Sequence, residues 1–197
     1  MDIKTVIFIG PQGSGKGTQI EKLKAVLEAG DERRRVVDIQ TGRRFRALAA
    51  TQETYAEDKI AATLSSGVLQ PDFITTVLWG RAMLDQLDTK SHLLIDGFPR
   101  TVGQIPDLED AFHFFERGTV DVINLETPEE VVRVRMESRA RADDTTDSIE
   151  ERLRWYRGDT LPVVAYYQSR PQTRVHTLDG TDTIDGVHQQ ILKALLL

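Results

Sequence analysis

The 197 residues suit one compact domain and are enough to bury a sizeable core. A net charge of −6 speaks against general nucleic-acid binding, which needs a basic face, and the absence of cysteine excludes disulfides and cysteine metal sites. No apolar stretch approaches the ~20 residues of a membrane span, and the chain enters a strand without a signal peptide, so a cytoplasmic protein without membrane partners is expected.

Val6, Ile7, Phe8 and Ile9 form an apolar run that ends abruptly at Gly10, the pattern of a strand buried on both faces. A glycine-rich turn follows, then Lys16, then a helical pattern with Ile20, Leu23 and Leu27 on one face and a stop at Gly30. Strand, Gly-x-x-x-x-Gly-Lys loop and helix make a P-loop. Gly10, Gly13 and Gly15 let the backbone wrap and turn its N–H groups inward, where they and the helix N-terminus can hold phosphate oxygens beside the Lys16 charge. The usual Ser or Thr after the lysine is displaced by Gly17, and Thr18 carries the hydroxyl.

Beyond a charged loop at 31–35 comes a second strand, Val36–Ile39, and then Thr41-Gly42 opening a helix through Leu48. A helix over 53–65 stops at Gly67, and Pro71 suits the first turn of a longer helix carrying Ile74, Val77, Leu78 and Leu84. His92–Ile95 is a third strand, from which Asp96-Gly97-Phe98-Pro99-Arg100-Thr101 breaks, and the cluster Phe112, Phe114, Phe115 reads as a packed helix end. Val120–Glu126 is a fourth strand, and Thr127-Pro128-Glu129-Glu130 has the spacing of a capping box. After a polar break at 142–147, a long helix carries Arg152, Trp155 and Tyr156 and is interrupted near Pro162. Thr173–Leu178 is the fifth strand, Asp179-Gly180-Thr181 its exit turn, and Val187, Ile191 and Leu195 mark the closing helix. Strands alternating with helices predict an α/β fold, a three-layer, doubly wound, five-stranded parallel sheet. Ligands gather at the C-terminal ends of such strands, where every turn singled out here belongs.

Asp96, at the end of an apolar strand beside the P-loop, can hold Mg²⁺, directly or through water, against nucleotide phosphates. Arg46, Arg100, Arg139, Arg141 and Arg152 come from separate turns and helices that should open on one crevice. Phosphoryl transfer spreads charge over the equatorial oxygens, which suits planar, permanently charged guanidinium groups. Arg133 and Arg154 read as a solvated helix face, and the singly scattered His92, His113, His176 and His188 as solvated or satisfied rings rather than metal ligands. No Ser-His-Asp or Cys-His arrangement is present, and none is needed when the acceptor is already a phosphate oxyanion.

Gly-Lys-Gly-Thr at 15–18 and the Asp-Gly-Phe-Pro-Arg-Thr run at 96–101 resemble the nucleoside monophosphate kinases, adenylate kinases above all. The resemblance runs from about residue 5 to the last helix. It implies one kinase domain, with core segments 1–40, 73–138 and 147–197, a monophosphate-binding insert at 41–72 and a vestigial lid at 139–146. It implies ATP held by the loop residues Gly10, Gly13, Ser14, Gly15, Lys16, Gly17 and Thr18, with Arg135 stacked on the donor base and Gly180 facing it. For AMP it implies Thr41, Gly42, Phe45 and Arg46, then Leu69 and Gln70, then Gly97 and Arg100, with Gln104 reading the adenine. Arg139, Arg141 and Arg152 would clamp the transferring group, Arg139 on the ATP side and Arg141 and Arg152 on the AMP side. Lys16, Asp96, Arg100 and these three would form the catalytic set, with Mg²⁺ held through water near Thr18 and Asp96 rather than by a direct protein ligand. The implied partners are small-molecule nucleotides only, and the implied state a monomer.

Three positions depart from the family pattern. Arg43 stands where an acidic residue usually lies near the metal waters, and is expected to weaken that network. Gln70 replaces an aliphatic residue of the acceptor-base pocket. Arg139 and Arg141 have one residue between them, which pares the lid to a helix-to-helix corner; loose donor selectivity and an ATPase leak are expected. A kinase of another monophosphate (CMP, UMP or dAMP) and a nucleotide-binding module without turnover stand as alternatives.

Overall fold

The computed structural model describes residues 2–139 and 141–197. Five strands, β1 (Thr5–Ile9), β2 (Val36–Gln40), β3 (His92–Asp96), β4 (Val120–Glu126) and β5 (Thr173–Asp179), form one parallel sheet in the order β2-β3-β1-β4-β5. The helices are α1 (Lys16–Gly30), α2 (Thr41–Thr51), α3 (Tyr55–Ser65), α4 (Asp72–Gln86), α5 (Ile105–Phe114), α6 (Glu129–Arg139), α7 (Thr146–Trp155), α8 (Leu161–Gln168) and α9 (Ile184–Leu195).

The period-two alternation of β1 sorts the core into two layers. Val6 and Phe8 face α1 and α9, packing with Ile20, Leu23, Leu27, Val187, Ile191 and Leu195. Ile7 and Ile9 face α4, α5 and α8, where Trp79, Met83, Leu108, Phe112 and Tyr167 are buried. Each buried aliphatic or aromatic side chain contributes about 1.5–3 kcal/mol. With helices on both faces, the strands need to be apolar throughout, which is why β1 is a continuous apolar run.

The structure corrects some expectations and sharpens others. On α4 the buried positions are Thr75, Trp79, Ala82 and Met83, while Val77 and Leu84 lie exposed. Phe112 and Phe115 pack on the core, but Phe114 is 72% exposed and sits edge-on to Phe115. The Thr127 hydroxyl caps nothing: it is buried without a hydrogen-bond partner, packed so closely against the exit turn that a Cβ on Gly180 would lie 2.2 Å from it. The interruption before Pro162 is a five-residue π-helical turn, Tyr156–Thr160. His92 is fully buried, its Nδ1 accepting from the Lys4 N–H at 3.0 Å, and burial pulls its pKa down to about 4. Arg133 pairs with Glu129 and Glu150, and Arg154 with Glu151, on the surface. Residue 140, within the segment read as the lid, lies outside the described residues. Among the described residues, no helix is long and apolar enough to cross a membrane.

Candidate active site

A cleft of about 420 Å³ opens at the C-terminal ends of β1 and β3. Its floor is the glycine loop after β1. Gly15, at φ 97°, is the N-cap of α1 and offers no side chain to cap it, so the first-turn N–H groups are left for an outside acceptor. Lys16 Nζ folds back on the loop, donating to the carbonyls of Gly10 and Pro11 at 2.8 Å each. Burial, with Arg100 and Arg139 nearby and Asp96 only partly compensating, lowers its pKa to about 8.

An unfolded lysine holds its proton up to about pH 10.4. The free fold therefore binds fewer protons at Lys16 between pH 8 and that value, and its stability should rise with pH across this window. A polyphosphate beside Nζ restores the charged form. ATP binding near pH 8 is therefore expected to take up protons, read as a buffer-dependent binding enthalpy, and Lys16→Met should abolish the dependence.

Asp96 ends β3 in register with Phe8 of β1 and Gln40 of β2, and its Oδ1 is buried without a partner. Gly97 follows at φ 92°, and a Cβ there would meet the Thr41 hydroxyl at 2.3 Å. Only glycine admits this approach, which seats the start of α2 on the Asp96–Gly97 turn.

The arginines converge as the sequence predicts. Arg46, Arg100, Arg135, Arg139, Arg141 and Arg152 all line the cleft with Lys16. Desolvation first, and crowding of like charges after it, lower the pKa of Arg46 and Arg141, and that of Arg100 to about 10, an arrangement that a bound anion would relieve. Arg100 is held at two points. Its Nε donates to the Gly97 carbonyl at 2.8 Å, and its guanidinium lies 4.8 Å from the centre of the Trp155 ring. Its own carbonyl accepts from Thr160 Oγ1, at the end of the π turn, at 2.9 Å.

Two carboxylates not singled out in the sequence hold Arg139 and Arg152. Asp144, with no exposed side-chain surface, accepts from Arg139 Nε and Nη2 at 2.9 Å each and from Arg152 Nη1 at 2.6 Å. Asp143 accepts from Arg152 Nη2 at 2.8 Å. The same Nη2 donates to the Leu64 carbonyl at 3.2 Å and Trp155 Nε1 to that of Gly67 at 2.9 Å, so α7 grips the end of α3. Trp155 thus has two contacts that helical periodicity could not reveal.

Of the other predicted residues, Gly13, Gly15, Gly17, Thr18, Thr41, Gly42, Phe45, Leu69, Gln70, Gly97 and Gln104 line the cleft. Gly10 and Ser14 do not: Gly10 directly follows β1, and Ser14 is buried within the loop. Gly180 lies outside the lining but accepts from Arg135 Nη1 at 2.8 Å, which ties the predicted base-stacking residue to the predicted base-facing turn. The Gln70 amide turns onto the Thr63 hydroxyl, Nε2 donating at 2.7 Å. Arg43 also lines the cleft, where it pairs with Glu21 at 2.5 Å, so a carboxylate partly offsets its charge.

A five-stranded parallel sheet with a phosphate loop after β1, an acidic β3 terminus and a guanidinium-lined cleft defines a P-loop nucleotide phosphotransferase. A family model described as "Adenylate kinase" matches residues 8–172. The chain is 37% identical over 191 residues to the protein named Adenylate kinase 1 of Nostoc sp., covering 97% of each chain. It is 34% identical over 190 residues to the adenylate kinase of Corynebacterium urealyticum, covering 96% of this chain and 98% of that one. The chain belongs to the adenylate kinase family.

Proposed function

We propose that this protein transfers the γ-phosphate of MgATP reversibly to AMP, giving two ADP. The observation that carries the reading is the convergence of Lys16 with Arg46, Arg100, Arg135, Arg139, Arg141 and Arg152 in one cleft, between the phosphate loop and the helices α2 and α3. In this reading Lys16 and the loop amides hold the donor phosphates, and Arg135 with the Gly180 turn flanks the donor base. Arg46 and Arg100 hold the acceptor phosphate. Arg139, Arg141 and Arg152 surround the group in transit, where charge is spread over three equatorial oxygens. No general base is required.

The residues suit Mg²⁺: the buried, unpartnered Asp96 Oδ1 and the cleft-lining Thr18 flank the loop and would hold the ion through its waters. When bound, the ion neutralises phosphate charge. The arginines meanwhile position both phosphates and displace water around them. A monomer acting in the cytoplasm on free nucleotides, without nucleic acid or membrane, completes the proposal.

ATP consumption measured in turn with AMP, CMP, UMP, GMP and dAMP tests it. AMP should be the preferred acceptor. A better rate with another monophosphate would overturn the acceptor assignment, and no turnover with any would leave a nucleotide-binding module.

A further inference from the structure

We propose that Asp72, in the first turn of α4, sets which way round the Gln104 amide faces the acceptor base, and so makes this subsite read a 6-aminopurine and reject a 6-oxopurine. The proposal rests on the reading of Gln104 as the residue that meets that base. Gln104 is 4% exposed and lines the cleft. Its carboxamide is held at both ends. The main-chain N–H of Arg100 donates to Oε1 at 2.7 Å, and Nε2 donates to Asp72 Oδ1 at 2.7 Å. Thr101 Oγ1 donates to the other Asp72 oxygen at 3.3 Å and steadies it.

The two anchors agree on one orientation. A main-chain N–H can only donate, and an ionised carboxylate can only accept. Turning the amide over would set oxygen against oxygen at Asp72 and N–H against N–H at Arg100. Each end of the amide keeps one unused function: a lone pair on Oε1 and a hydrogen on Nε2. An acceptor beside a donor matches the amino group and N1 of adenine. Guanine and hypoxanthine present a carbonyl oxygen and an N1–H in the same places, the reverse pattern. The neighbouring amide, Gln70, is engaged by Thr63 and does not compete for this task.

Asp72 is exposed and outside the core, so its replacement should leave the fold standing. The test is kcat/KM for AMP and for IMP, which differ at the edge in question, in the wild type, Asp72→Ala, Asp72→Asn and Gln104→Ala. Loss of an orienting hydrogen bond is expected to lower the AMP-to-IMP preference roughly tenfold in Asp72→Ala, through KM for AMP with kcat little changed. Asp72→Asn, whose Oδ1 can still accept from Nε2, should retain most of the preference. In the Gln104→Ala background, Asp72→Ala should change the preference no further. Equal loss for both acceptors, an unchanged ratio, or a further loss in that background would each overturn the proposal. A wild type that fails to distinguish AMP from IMP would overturn the reading of Gln104 itself, and is recognised before any variant is made.

Discussion

Lys16→Met is expected to lower kcat by roughly two orders of magnitude or more, with binding of AMP nearly unchanged. In the free protein Nζ is held by the Gly10 and Pro11 carbonyls, within the loop that would surround the donor phosphates. Methionine keeps the length and the apolar stem but removes the one loop charge. The loop amides would still bind a polyphosphate, so the loss should fall on the step in which charge moves rather than on ground-state affinity. Arg100 should not compensate, because its guanidinium is fixed by the Gly97 carbonyl and the Trp155 ring. Steady-state kinetics with both nucleotides varied decides the matter: a kcat within a few-fold of wild type would remove Lys16 from the transition state.

Asp144→Ala should be the most damaging change outside the nucleotide contacts. The carboxylate is fully buried and bonded to both Arg139 and Arg152. Removing one partner of a buried ion pair leaves an uncompensated charge and costs about 3 kcal/mol or more. Asp143 still pairs with Arg152, which keeps the cost toward that lower end. The same change frees the guanidinium of Arg139, so kcat should fall by roughly tenfold to a hundredfold even where the variant is fully folded. Asp144→Asn retains an acceptor and should lose less on both counts. Denaturation midpoints and kcat measured on the same samples separate the two effects. A folded Asp144→Ala with wild-type kcat would mean that Arg139 acts without this support.

Much of this was legible in the sequence, because it follows local rules. The β1 run, the loop glycines and the Asp96–Thr101 break each announce themselves within a few residues, and alternating elements force the parallel sheet. What escaped depends on distant partners. Asp143 and Asp144 sit in a short acidic stretch between two helices, indistinguishable from a solvated corner until the buried Arg152 is placed against them. Trp155 stands in the sequence only as one residue of a long helix, yet its indole N–H reaches Gly67, far away in the chain, and its ring underlies Arg100. The capping spacing at Thr127 is sound locally and fails because Gly180 arrives from the next strand. Arg43 looked like an intruder at a metal site; its partner Glu21 lies a whole strand upstream.

On the α3 side of the cleft, α7 grips the end of α3 through Arg152 and Trp155. The central claim is that two nucleotides share this one cleft and exchange a phosphoryl group directly. The most direct measurement supplies ADP and Mg²⁺ alone and follows the phosphorus resonances of every product. ATP and AMP should appear in equal amounts, with inorganic phosphate at most a minor share. Release of AMP and phosphate without ATP, or ADP left unchanged, would contradict it.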